Sequence, residues 1–121
     1  MNSKELKART QKFALDIIQF VEKLPSKKTS DVLGRQLMRS SCAVGANYRA
    51  ACRAQSYSHF ISKLSIVEEE SDESLFWLEM ISKAGLANEN IILPLIKEAD
   101  ELTAIFTAAR KTSRVNKNQK S

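Results

Sequence analysis

The chain has 121 residues, enough for one domain with one core. Hydrophobic residues make up 43% and charged residues 27%, which excludes a disordered chain, and three glycines and two prolines are too few for a turn-rich sandwich. A net charge of +5 permits an acidic partner without requiring one.

Leu6, Thr10, Phe13, Ile17, Phe20 and Leu24 recur at steps of three and four, so the spacing predicts a first helix over about 3–24. Pro25 ends it, because the residue before a proline is pushed out of the α region. A short basic loop follows, and Thr29, Ser30 or Asp31 is placed to cap a second helix over about 31–54. Its inner seam is Leu33, Leu37, Ser40, Val44, Asn47 and Ala51. Ser40 and Asn47 read as small polar residues that let helices approach and fix register through a buried hydrogen bond. Arg35, Arg39, Cys42, Ala46, Arg49 and Arg53 form an outer stripe that is small and uncharged in the middle. A helix with so little charge in its middle turns is usually covered on every side. One small bundle covers only the inner side, so the outer one asks for a second chain.

Gln55-Ser56 leaves room for a tight turn capped by Ser56, and a third helix is expected over about 57–84. Its inner stripe is Tyr57, Phe60, Leu64, Val67, Ser71, Leu75 and Leu78, and Gly85 stands where a left-handed residue closes a helix. A fourth helix over about 90–113 uses Ile92, Leu95, Ala99, Leu102, Phe106 and Ala109, with Pro94 tolerable in its first turn. The remainder, 115–121, reads as a basic flexible tail. Four helices over 1–114 with short connections give an all-α, up-down-up-down four-helix bundle, expected to assemble as a homo-oligomer.

The run RSSCAVGANYRAACRAQSYSHFISKLSIVEEESDESLFWLEMI resembles the core of a family of small bacterial four-helix-bundle proteins. They are named for open reading frames in intervening sequences of 23S ribosomal RNA genes, and the accessory protein of diversity-generating retroelements is a relative. The similar parts are Arg39-Ser40-Ser41, Ala46-Asn47, Phe60, Leu64 and the acidic run leading to Trp77-Leu78-Glu79. The resemblance covers roughly residues 13–110 and implies the bundle fold and a pentameric ring. It implies no activity.

Catalytic chemistry finds little support. The single histidine, His59, excludes a di-iron bundle built on two Glu-x-x-His motifs and reads as a surface or interface residue. No phosphate-binding glycine loop, CxxC or nucleophile motif occurs, so no enzyme, cofactor or metal site is expected. Cys42 and Cys52 stand about 15 Å apart along one helix, too far to bond, and read as reduced, packed thiols. Met1 to Lys12 is charged, unlike a secretory signal. No run reaches the roughly 20 apolar residues of a membrane span, and a cytoplasmic protein is expected.

Two surfaces remain. Ile66, Glu70, Glu73, Phe76, Trp77 and Met80 share the outer side of the third helix, level with Arg35 and Arg39 in an antiparallel hairpin. With Cys42 and Ala46 they read as a charge-matched subunit interface. A largely buried ion pair of Arg39 with the Glu69–Glu73 run is expected there. At one end of the bundle Lys4, Lys7, Arg49, Arg53, Arg110, Lys111 and Arg114 gather beside Arg9, with Glu5 the nearby acid, while Glu98 falls at the other end. This basic end is expected to bind RNA or DNA, or a nucleic-acid-bound protein, through phosphates. No aromatic platform for base stacking is apparent, so little sequence readout is expected. The alternative is a structural, protein-interaction module whose basic end only solubilises it.

Overall fold

The computed structural model of the chain describes residues 1–120. Four helices follow one another: α1 (Ser3–Glu22), α2 (Lys28–Cys52), α3 (Tyr57–Lys83) and α4 (Glu89–Lys120). Each packs against the next, and α1 closes the ring against α4. The α2–α3 seam is the most extensive and the α1–α4 seam the thinnest. This is the expected all-α bundle.

The helix boundaries have local causes. Asn2 accepts a hydrogen bond from the Glu5 amide at 2.8 Å, and Ser56 accepts one from the His59 amide at 3.0 Å. Each satisfies a donor that the first turn leaves unpaired. The second helix starts one turn before the predicted position. The Asp31 amide already donates to the Lys27 carbonyl, so Thr29, Ser30 and Asp31 lie inside the first turn, and Lys27, the cap, offers no side-chain acceptor. Asp31 still favours the positive end of the helix dipole. At the end of α3, Gly85 adopts φ +71°, its amide bonds to the Ser82 carbonyl, and the Leu86 amide reaches Ile81. That is the Schellman closure, and it needs a residue without Cβ strain.

The fourth helix departs most from expectation. It begins at Glu89, which puts Pro94 in the second turn, and it continues to Lys120 where a tail over 115–121 is expected. No proline or glycine follows Pro94 to break it, and its last turns run level with the start of α3. Ser121 lies outside the described residues.

The core joins Phe13, Ile17, Leu37, Val44, Leu64, Leu78, Leu102 and Phe106, all essentially inaccessible. Each such side chain contributes about 1.5–3 kcal/mol on leaving water. Tyr48 completes it at the α1-start end, its ring 5.2 Å from that of Phe106 across the bundle. In α3 the observed inward set is Ile61, Leu64, Val67, Ser71, Ser74, Leu78 and Ile81. Tyr57, expected inside, is exposed, and Phe60 and Leu75 are half-buried.

Two polar devices set helix register. The Ser74 hydroxyl meets that of Ser40 at 2.9 Å across the α2–α3 seam, as expected for Ser40, whereas Asn47 bonds within its own helix to the Ala43 carbonyl. On the α3–α4 seam Glu68 is held by the Arg110 guanidinium and by the Thr107 hydroxyl at 2.7 Å. The hydrogen bond from Arg110, helped by Thr107 and opposed by partial burial, holds the Glu68 carboxyl below its ordinary value of 4.5. Between the two values the unfolded chain binds the extra proton, so this contribution is complete above about pH 4.5 and fades as pH falls through the lower folded value. Glu68→Gln should therefore flatten the acid limb of a stability–pH curve measured by urea unfolding. An acid limb identical to that of the parent would contradict the assignment.

Candidate nucleic-acid interface and subunit face

Arg39 projects from α2 toward α3, where it pairs with Glu70 at 2.9 Å and with Glu73. Glu73 also accepts the Trp77 indole N–H at 3.0 Å, and Phe76 packs edge-on against Trp77 with centroids 4.9 Å apart. Ile66, Phe76 and Met80 are exposed around this cluster. The predicted charge match is therefore present within one chain. Its burial is not: Arg39 is 51% exposed, Glu73 36% and Glu70 16%. The pair belongs to the weak, solvated class unless something covers it.

The other α2 residues assigned to this face lie elsewhere. Arg35 borders a small hollow with Val21, Pro25 and Met38 on the α1 side, and it forms no ion pair among the described residues. Cys42 and Ala46 line a separate groove of about 560 Å³ between α1 and α2. Gly45 lies on its floor beside the backbone of Thr10, where a Cβ would stand in ordinary contact, 3.5 Å from the Thr10 carbonyl oxygen. Both cysteines are unbonded as expected, but exposed rather than packed. His59 is exposed on the first turn of α3.

The cations assigned to the basic end divide into two groups. Arg9 is taken up by Glu98 at 2.6 Å and Glu101 at 2.9 Å, so Glu98 lies beside the basic end and not at the far end where the sequence placed it. Arg110 is taken up by Glu68. Arg114 lines a polar groove of about 580 Å³ shared with Glu68, Glu69 and Asp72, and Lys111 adds its attraction to Glu68. The basic residues of α4 thus sit against the acidic run of α3. Lys4, Lys7, Arg49 and Arg53 differ: all are exposed, and none forms an ion pair among the described residues. Lys4, Lys7 and Arg49 rim the α1–α2 groove. For Arg49 and Arg53 the cause is in the sequence, since no acid occurs between Asp31 and Glu68.

A second concavity, of about 580 Å³, opens at the same end between the start of α1, the end of α2 and the start of α3. Ser3, Tyr48, Ala51, Cys52, Tyr57 and Phe60 line it. Tyr57 and Phe60 stand tilted with centroids 5.9 Å apart. The sequence reading missed this aromatic group because Tyr57 and Phe60 fit the core stripe; the basic residues on either side were the signal that could have found it. Burial, with a hydrogen bond shared with Cys52, holds the Tyr48 phenol above its ordinary range. Among the described residues no cluster of three or more His, Cys, Asp or Glu side chains could hold a metal ion, and no helix is long and apolar enough to cross a membrane.

Residues 4–108 match the family model described as 23S rRNA-intervening sequence protein. The chain belongs to that family. No curated protein matches it. Among solved structures, a protein of unknown function from the S23 ribosomal protein family of Bacteroides thetaiotaomicron is similar, with 27% identity and a TM-score of 0.84. The match covers 92% of this chain and 99% of the other. For this member of the 23S rRNA-intervening sequence family, the half-exposed Arg39 pair sets a clear expectation. Arg39→Ala should cost about 1 kcal/mol or less in dilute protein, read from urea midpoints. A loss of about 3 kcal/mol or more would mean that the pair is covered under those conditions.

Proposed function

We propose that this protein is a non-enzymatic, homo-oligomeric bundle of the cytoplasm that binds the phosphate backbone of nucleic acid at the α1–α2 end. The observation that carries this reading is the exposed set Lys4, Lys7, Arg49 and Arg53, which form no ion pair among the described residues, whereas Arg9, Arg39 and Arg110 at or near the same faces have acidic partners. Cations left without partners attract a polyanion and release its counterions, which favours binding at low salt. The narrower charge set replaces the seven residues read from sequence, because Arg110, Lys111 and Arg114 lie against the acids of α3.

Self-association is the second half of the proposal. Exposed Ile66, Phe76 and Met80 around half-buried Trp77 favour a subunit contact over a solvated face. A pentameric ring is what the family resemblance suggests for it. A protein-interaction module without nucleic-acid binding is favoured by that same apolar face if the basic groove stays empty.

The test is the double charge reversal Arg49→Glu, Arg53→Glu, with labelled RNA titrated at low salt and the mass followed by light scattering. We expect binding to fall at least tenfold while fold and mass, several times that of one chain, stay those of the parent. Equal binding after both reversals, or none by the parent, would leave the interaction-module reading. A clean monomer at micromolar concentration would remove the oligomer.

A further inference from the structure

Resting on that reading of the basic end, we propose that the aromatic concavity beside it selects single-stranded nucleic acid, taking an unstacked base against Tyr57.

Four features of this end support the choice. Tyr57 is 38% exposed, at the first position of α3, and its tilt against Phe60 limits its freedom to turn away from the opening. The floor is fixed, since Tyr48 and Ala51 belong to the buried core. Its volume of about 580 Å³ is ample for a single base. Finally, two exposed cations that form no ion pair among the described residues are next in sequence to its lining: Arg53 follows Cys52, and Lys4 follows Ser3. Alongside runs the α1–α2 groove with Lys4, Lys7 and Arg49.

Taken together, these features place a phosphate track next to one recessed aromatic face. A duplex keeps its bases stacked and paired, so it meets only the cations. A single strand offers a free base to the ring as well, and such stacking is sequence-tolerant because every base has a π-face. The first turn of α3 carries no acid to repel the backbone there. The expectation drawn from sequence is an end without an aromatic-rich platform; the proposal adds a single ring, Tyr57, and little sequence readout is still expected.

The experiment uses the full chain and three labelled probes of one sequence, about ten nucleotides long: single-stranded RNA, single-stranded DNA, and the duplex. Anisotropy titrations at low salt compare the parent with Tyr57→Ala and Tyr57→Phe, each checked for an unchanged melting temperature. We expect one or both single strands to bind more tightly than the duplex. Tyr57→Ala should weaken single-strand binding about tenfold, in line with loss of one stacked base. Tyr57→Phe should retain it, and duplex binding should be the same in all three proteins. Whichever single strand carries the Tyr57 effect identifies the nucleic acid. The inference is overturned if Tyr57→Ala binds single strands as the parent does, or loses duplex binding equally, while the charge-based reading survives. If no probe binds the parent at low salt, both fail.

Discussion

Charge register along the α2–α3 hairpin is the constraint on which the surface of this bundle depends. No acid occurs between Asp31 and Glu68, and then Glu68 to Glu73 arrive almost without interruption. Antiparallel packing lays the acid run against the middle of α2 and of α4. Arg39 and Arg110 therefore find partners, and Arg9 finds them in Glu98 and Glu101. The same register leaves the end of α2 opposite the acid-free start of α3. Among the described residues Lys4, Lys7, Arg49 and Arg53 form no ion pair, and for Arg49 and Arg53 this follows from where the acids lie.

That register is fixed from the inside. The Ser40–Ser74 hydrogen bond sits in the seam one position from Arg39 and from Glu73. Small hydroxyls let α2 and α3 approach, and their mutual bond adds to the bonds that Ser40 and Ser74 make to the Leu37 and Glu70 carbonyls of their own helices. On the α1 side Gly45 faces the backbone of Thr10, with room for a Cβ in ordinary contact at 3.5 Å. Lys4, Lys7 and Arg49 rim the groove between α1 and α2.

Much of this was legible in the residues. The seams of α1 and α4, the Ser56 cap, the Gly85 closure and the partnership of Arg39 with the acid run follow from spacing, because each depends on neighbours in sequence or on one antiparallel hairpin. What failed depends on other things. Tyr57, Phe60 and Ile61 are all apolar, so periodicity alone could not say which turns inward; Ile61 does. The last turns of α4 are polar but contain no breaker, so composition suggested a tail where a helix continues. Arg9 and Arg110 looked free because their partners lie on a different seam, between α1 and α4 or between α3 and α4, whose vertical offset no single helix reveals. Cys42 and Ala46 were grouped with Trp77 by helical phase, yet they open toward α1.

Family membership fixes the fold and leaves the role of this chain to its surface, since the solved relative has no known function. The proposed role rests on four cations acting as a phosphate-binding surface. Its most direct measurement is the affinity of the unaltered protein for single-stranded RNA across a range of salt concentrations. Four released counterions on a single strand give a line of log K against log salt with a slope of about −3 per chain. A slope near that value is expected; affinity indifferent to salt, or no binding at low salt, would contradict the role assigned to Lys4, Lys7, Arg49 and Arg53.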